Sequence, residues 1–212
     1  MAYVLGFFAA DGYITVNKRG GQFWCIQITD KELLFSIREA LTAKHKISER
    51  IGKGNNQTQY RLQIGSIEMC TDLRNLGFSE RKTKSMSIPH VPEKYFADFT
   101  RGYFDGDGNI WAGLSHKERK TQTATLFIAF TSCSVPFLME LKKRLGIFCL
   151  GGCIYRSKRN YVRLQYSTVD SLKLYDFMYN QGRRRYEKCG LYLERKRNVL
   201  ERYKVLKNAP VV

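Results

Sequence analysis

The sequence predicts an α+β fold of two pseudo-symmetric αββαββα halves, packed through a matched pair of helices and each carrying an antiparallel sheet. Three observations predict it. The stretch Val4-Leu5-Gly6-Phe7-Phe8-Ala9-Ala10-Asp11-Gly12 returns as Thr100-Arg101-Gly102-Tyr103-Phe104-Asp105-Gly106-Asp107-Gly108, 96 positions later. Arg61-Leu62-Gln63 returns as Arg163-Leu164-Gln165, 102 positions later, so whole halves repeat and not a single helix. Between these anchors, alternating strand patterns and apolar helical stripes follow the same order twice. The halves divide as 1–92 and 93–212.

Each repeated stretch reads as a buried helix with small residues four apart. Gly6 and Ala10 share one helical face, as do Gly102 and Gly106. Small residues at that spacing let two helix backbones approach closely. Gly12 and Gly108 are natural helix stops, tolerant of the left-handed conformation. Asp11 and Asp107 then sit at helix C-termini, where the helix dipole already disfavours an anion. If the helices pack side by side, the carboxylates approach each other, and a hard divalent cation with oxygen ligands would relieve the conflict.

These residues carry a resemblance. Both stretches resemble the signature of the LAGLIDADG homing endonucleases, in the single-chain form with two motifs. The second copy matches well through Asp105-Gly106-Asp107-Gly108; the first departs at Ala9, where the signature has its first acid. The second acid, which the family uses for metal, is present in both copies. The resemblance implies a site-specific double-strand DNA endonuclease that hydrolyses phosphodiesters at a long asymmetric target. It implies Mg²⁺ held by Asp11 and Asp107 and by the backbone carbonyls of Ala10 and Gly106, with Mn²⁺ or Ca²⁺ able to substitute for binding. It also implies that the sheets form saddles along the DNA major groove, and that the protein is an intron-encoded monomer. By position, Lys82 and Lys188 resemble the family's active-site lysines. Asp30 and Ser132 resemble the polar residues that position solvent near the metals, and plain helix N-caps fit them equally.

The remaining elements follow in order. Tyr13, Thr15 and Asn17 alternate with Ile14 and Val16 as a half-buried strand, and Arg19-Gly20-Gly21 marks a turn. Phe23 to Ile28 is a second strand, on which Trp24 and Gln27 lie on opposite parities. Thr29-Asp30 caps a helix bearing Leu33, Leu34, Ile37 and Leu41. A third strand is expected over 47–53. A fourth shows Gln59, Arg61 and Gln63 on one face and Tyr60, Leu62 and Ile64 on the other. A short helix over 66–76 precedes Pro89 and Pro92, after which the second motif helix begins near Glu93. The second half repeats the scheme. Strands fall near 109–114 and 124–130, Thr131-Ser132 mirrors Thr29-Asp30, and a helix carries Leu138, Leu141 and Leu145. A hairpin over 154–158 and 161–166, a helix over 169–179 and a basic terminal helix through Lys207 complete it.

Net charge is +17 over 212 residues, which points to a polyanion, either nucleic acid or an anionic membrane surface. The charge is uneven: residues 1–96 hold 14 basic and 9 acidic residues (+5), residues 97–212 hold 22 and 10 (+12). The strand faces favour nucleic acid, because amides and guanidinium groups are the types that reach base edges and phosphates. Expected contacts in the first half are Thr15, Asn17, Lys18, Arg19, Gln22, Trp24, Gln27, Gln59, Arg61 and Gln63. In the second half they are Lys117, Arg119, Lys120, Arg156, Lys158, Arg163 and Gln165. Trp24 and Trp111 fit a contact surface or the core equally well. His45, His90 and His116 show no nuclease or zinc spacing.

No run of 18 apolar residues is present and no signal peptide is expected at Met1-Ala2-Tyr3-Val4, so the reading is an intracellular protein of cytoplasm or organelle matrix, with no membrane partner. The six cysteines form no CxxC pair and read as reduced thiols. A maturase of the same fold that grips intron RNA is the alternative, and retention of both acids weighs against an inactive one. A basic structural protein would need no paired buried acids. A self-splicing intein is not expected, since Met1 and Asn208-Ala209-Pro210-Val211-Val212 lack the terminal nucleophile and His-Asn of splicing; an excised endonuclease domain fits.

Overall fold

The computed structural model describes residues 1–54, 57–80, 82–115, 118, 122–149, 151–157, 160–180 and 190–208. The first half contains α1 (Ala2–Asp11), β1 (Gly12–Val16), β2 (Gln22–Ile28), α2 (Lys31–Ala40), β3 (Ile47–Arg50), β4 (Gln59–Gly65), α3 (Ile67–Asn75) and α4 (Lys82–Ser85). The second contains α5 (Glu93–Asp107), β5 (Gly108–Ser115), β6 (Thr123–Ser132), α6 (Val135–Leu145), β7 (Cys153–Arg156), β8 (Val162–Tyr166), α7 (Thr168–Tyr179) and α8 (Glu194–Asn208). Each half folds its four strands into one antiparallel sheet, ordered β1-β2-β4-β3 and β5-β6-β8-β7. The expected α+β class and paired halves are thus observed.

The motif helices hold the halves together. A Cβ at Gly6 would lie 2.0 Å from the Phe99 carbonyl oxygen, and one at Gly102 would lie 2.0 Å from that of Tyr3. The two contacts are related by the internal pseudo-twofold. Further along, a Cβ at Gly106 would lie 2.3 Å from Ala10 Cβ. The small-residue face predicted from spacing is therefore the interface. The helix-stop glycines have a different reason from the one expected. Gly12 has φ −80° and Gly108 φ −88°, both extended and open to any residue. What excludes a side chain is space: a Cβ would meet the Phe8 ring at 2.0 Å and the Phe104 ring at 2.2 Å.

Around this pair lies one continuous apolar core. Phe7, Phe8, Phe99, Tyr103 and Phe104 are buried in it, with Trp24, Ile26, Leu62 and Ile64 from the first sheet and Leu126, Ile128, Phe130 and Leu164 from the second. Period-two alternation places these residues on one face of each sheet. The opposite, open faces carry Tyr13, Thr15, Phe23, Gln27, Arg61 and Gln63 in the first half. In the second they carry Asn109, Trp111, Phe127, Arg163 and Gln165.

Several boundaries differ from expectation. β3 ends at Arg50 instead of continuing to Lys53, and α4 is a single turn that the pattern did not announce. β6 runs through Ser132, so Ser134 caps α6, its Oγ accepting from Phe137 N at 3.4 Å. The register makes Thr131 the counterpart of Gln27, since they pair with Arg163 and Arg61. The counterpart of Asp30 is hence Ser134, two residues beyond the expected Ser132. Among the described residues, no helix is long and apolar enough to cross a membrane, and five cysteines are free thiols.

Candidate active site where the paired helices end

The close packing of α1 and α5 brings their C-terminal acids together. A Cβ at Gly106 would lie 3.0 Å from Asp11 Oδ2, so the Asp11 carboxylate reaches across the partner helix. Asp11 is half-buried; Asp107 is exposed on one side, with protein packed around the rest of its carboxylate. Burial pushes Asp107 up to about 6, with the Asp11 charge adding to the rise and Lys82 and Lys196 opposing it. Burial also raises Asp11, against the pull of Lys196, Lys82 and Arg195.

Two lysines attend this pair. Lys82, from the single turn α4, is 8% exposed; its Nζ donates to the Ala9 carbonyl at 2.6 Å and the Ala10 carbonyl at 3.4 Å. Its ammonium also lies 5.8 Å from the centre of the Phe8 ring. Lys196, from the first turn of α8, is 6% exposed and donates to Phe104 O at 2.5 Å, Asp105 O at 2.8 Å and Gly108 O at 2.6 Å. It lies 4.9 Å from the centre of the Phe104 ring. Phe8 and Phe104 are equivalent positions of the repeat, and so are Ala9 and Asp105. The lysines are therefore pseudo-twofold mates. Burial lowers each to about 8, and the neighbouring acids pull the other way.

Lys196 was missed in the sequence, where Lys188 was expected; Lys188 lies outside the described residues. A signal was present. Glu80-Arg81-Lys82 recurs as Glu194-Arg195-Lys196, 114 positions on, displaced from the other repeats by a longer connection.

Asp105, the motif's first acid, does different work from Asp107. It is 1% exposed, and its carboxylate accepts from Tyr3 OH at 2.8 Å, Tyr179 OH at 3.2 Å and Leu193 N at 3.1 Å. Ala9 occupies the equivalent place in α1 and is simply core.

Ser132 reaches the site. It lines a cavity of about 220 Å³ together with Ala10, Lys82, Asp107, Cys133 and Tyr161. Its Oγ accepts from Ser134 N at 3.0 Å. Asp30 caps α2, Oδ1 accepting from Leu33 N at 3.2 Å.

The expected contact residues divide by face. Gln27 and Arg61 pair across β2 and β4 on the open face of the first sheet, Gln27 hydrogen-bonds Gln59, and Gln63 and Thr15 share that face. Arg163 and Gln165 occupy the open face of the second. Lys18 and Arg19 are exposed at the β1–β2 turn, which Asn17 organises by accepting from Arg19 N and Gly21 N at 3.0 and 2.8 Å. Two expectations are corrected. Trp24 is 1% exposed and stacks on Phe8 at 5.6 Å, because its parity is that of Ile26 and the core. Gln22 shares that parity and accepts from Arg74 of α3 at 2.7 Å. Arg156 is exposed at the sheet edge. Lys117, Arg119, Lys120 and Lys158 lie outside the described residues.

Among the described residues, no three His, Cys, Asp or Glu side chains cluster. The chemistry of the helix ends rests on two carboxylates, two lysines and main-chain carbonyls.

Gly-packed helices ending in paired acids between two four-stranded sheets define an α+β protein with the architecture of the LAGLIDADG meganucleases. The chain matches the structure of I-AabMI bound to uncleaved DNA over 97% of its own length and 89% of that chain, with TM-score 0.60 and 17% identity. I-SmaMI bound to an uncleavable DNA matches over 98% and 90%, with TM-score 0.61 and 15% identity. The I-LtrWI LAGLIDADG homing endonuclease bound to target DNA matches over 98% and 96%, with TM-score 0.57 and 15% identity. At such identities the likeness is one of fold. Residues 1–77 match the family model of the LAGLIDADG-like domain. A probable translation initiation factor IF-2 of Thermococcus kodakarensis is 33% identical over 147 residues, 66% of this chain, and the chain spans 12% of that protein's length. Residues 1–77 thus carry a LAGLIDADG-like domain, and the chain as a whole has the fold of the meganucleases it matches.

Proposed function

We propose that this protein is a site-specific endonuclease that grips double-stranded DNA on its two open sheet faces and hydrolyses one phosphodiester of each strand. The observation that carries the reading is the Asp11–Asp107 pair. Two carboxylates held together at two negative helix ends, with one acid raised to about 6, form an arrangement that is unfavourable without a cation. Their oxygens suit a hard divalent ion, and Mg²⁺ is the proposed one, with Mn²⁺ or Ca²⁺ able to take its place for binding. Asp11 and Asp107 would hold it, together with the Ala10 and Gly106 carbonyls. Bound there, the metal supplies Lewis-acid polarisation of phosphoryl oxygen and an activated water.

The chain's own residues do the rest. Lys82 and Lys196 clamp the carbonyls at the helix-to-strand corners and so fix where the two acids stand. Their buried ammonium groups offer positive charge beside a phosphate. Ser132, on the cavity wall with Asp107, has a hydroxyl available to orient solvent. Asp30 and Lys188 are assigned only by resemblance. The faces of the two sheets differ in sequence, so the proposed target is asymmetric, read by 1–92 on one side and 93–212 on the other. The internal pseudo-twofold supplies both acids from one chain, and the protein is proposed to act as a monomer.

The test is cleavage of a randomised duplex library with Mg²⁺ by the parent and by Asp11→Asn and Asp107→Asn. One long site cut by the parent, with each substitution abolishing double-strand cutting while binding persists, supports the proposal. A parent that cuts nothing and prefers structured intron RNA overturns it.

A further inference from the structure

The open faces of the two sheets are built for different chemistry. At equivalent register positions, the first sheet pairs Thr15 with Phe23 and the second pairs Trp111 with Phe127. Trp111 is 41% exposed, and its indole stacks on the Phe127 ring at 5.4 Å and 21°. A Cβ at Gly113 would fall 2.4 Å from Trp111 Cζ2 and 2.6 Å from Cη2, so the indole lies over the bare backbone of its own strand. Arg163 extends the surface, its guanidinium carbon 5.3 Å from the centre of the Phe127 ring. Ala129, between Phe127 and Thr131 on that face, is small enough to leave the guanidinium its path. Arg163 Nε is buried there with no hydrogen-bond partner among the described residues. The result is a flat aromatic platform across the edge strand β5 and its neighbour β6, beside a cation, with no equivalent in the other half.

The floor of a DNA major groove offers such a platform one methyl group, the C5 methyl of thymine; apart from small C–H edges, the other groups there are hydrogen-bond donors or acceptors. We infer that the Trp111–Phe127 platform makes the second half a reader of 5-methylpyrimidines, while the amide and guanidinium face of Gln27, Arg61 and Gln63 reads base edges by hydrogen bonding. The inference rests on the proposed DNA partner and names a specificity determinant within it. The charge distribution agrees, since residues 97–212 carry 22 basic against 10 acidic residues.

The chain has two tryptophans, and Trp24 is 1% exposed, so iodide quenching of tryptophan fluorescence reports Trp111. The experiment takes the duplex selected from the randomised library and titrates it onto the full chain. Each thymine is then replaced, one at a time, by deoxyuridine. Binding is expected to shield Trp111 from iodide. At one or two thymines on the side of the second half, deoxyuridine is expected to weaken binding about four-fold, the worth of one buried methyl. Trp111→Ser is expected to abolish that discrimination with an unchanged melting temperature; should the variant fail to fold, shielding and the deoxyuridine scan on the parent decide the matter. Tight binding with Trp111 still quenchable, or with indifference to every deoxyuridine, overturns the inference and leaves the nuclease reading standing. Failure to select any duplex overturns both.

Discussion

Lys196 Nζ donates to the Asp105 carbonyl at 2.8 Å while the carboxylate of that same residue holds Leu193 N at 3.1 Å, three positions before the lysine. Asp105 thus fixes the head of α8 at one end of a short segment and receives the lysine at the other. Tyr3 from α1 and Tyr179 from α7 complete its shell, so one carboxylate ties three helices to α5. Asp105→Ala would strand the buried Leu193 N–H and the Tyr3 hydroxyl. The expected cost is about 3–5 kcal/mol, the range for breaking a buried charged network. Asp105→Asn, which keeps one acceptor, should cost less. Urea denaturation of the three proteins checks the order.

The helix interface yields a symmetric prediction. At Gly6 and Gly102 the obstacle is a carbonyl oxygen 2.0 Å away, on the facing backbone rather than at the end of a flexible side chain. A methyl there forces the helices apart along the core that joins the halves. Gly6→Ala and Gly102→Ala should each destabilise by about 3 kcal/mol or more, at the upper end for overpacking. The two values should agree closely because the contacts are related by the pseudo-twofold. A large difference in denaturation midpoint would show that the interface is not symmetric in energy.

The parts of this molecule that were legible in the sequence share a physical cause. Gly6, Ala10, Gly102 and Gly106 report a close approach, and strand residues such as Arg61-Leu62-Gln63 report a face; both are local patterns with a fixed period. Trp24 and Gln22 were misplaced because β2 is apolar on both parities: Cys25 is fully buried on the open side, so alternation gave no decision. Ser132 was paired with Asp30 because β6 is longer than β2, and a two-residue strand extension leaves no mark in composition. Lys196 is brought to the acids by a connection of unequal length in the two halves. Only the folded chain shows Lys196 at this corner.

Asp107 sets a pH dependence with a definite sign. Its carboxyl stands at about 6 in the fold and near the ordinary ~3.9 when unfolded. The folded state therefore takes up this proton first as pH falls. The stabilisation from that uptake is complete below about 4 and is lost as pH rises through about 6. In that window Lys82 and Lys196, at about 8, stay charged and contribute no slope. In EDTA, Asp107→Asn should consequently raise the melting temperature at pH 7.5 and change it little at pH 4.5. A divalent ion should stabilise the parent at pH 7.5, progressively less below pH 6, and the Asn variant hardly at all. Thermal melts at the two pH values, with and without Ca²⁺, check all three outcomes.

The two lysines should differ in stability and in strand. Lys196 satisfies three carbonyls, two at the end of α5 and one at the start of β5, whereas Lys82 makes one short bond, to Ala9. Replacing either by Met keeps the packing against Phe8 or Phe104 and removes the donor. Lys196→Met leaves two acceptors unpaired, Asp105 O and Gly108 O, since Phe104 O keeps the Gly108 N–H, and should cost roughly twice as much stability as Lys82→Met, given about 1–3 kcal/mol per orphaned group. In cleavage the effects should be complementary instead of graded. Each lysine stands at the helix-to-strand corner of a different half, so each variant should slow one strand of the duplex more than the other and accumulate a nicked intermediate. A supercoiled plasmid carrying the selected site, with each strand end-labelled in a parallel duplex, reads this directly. Opposite strands should lag in the two variants, and if the same strand lags in both, the one-lysine-per-strand assignment is wrong.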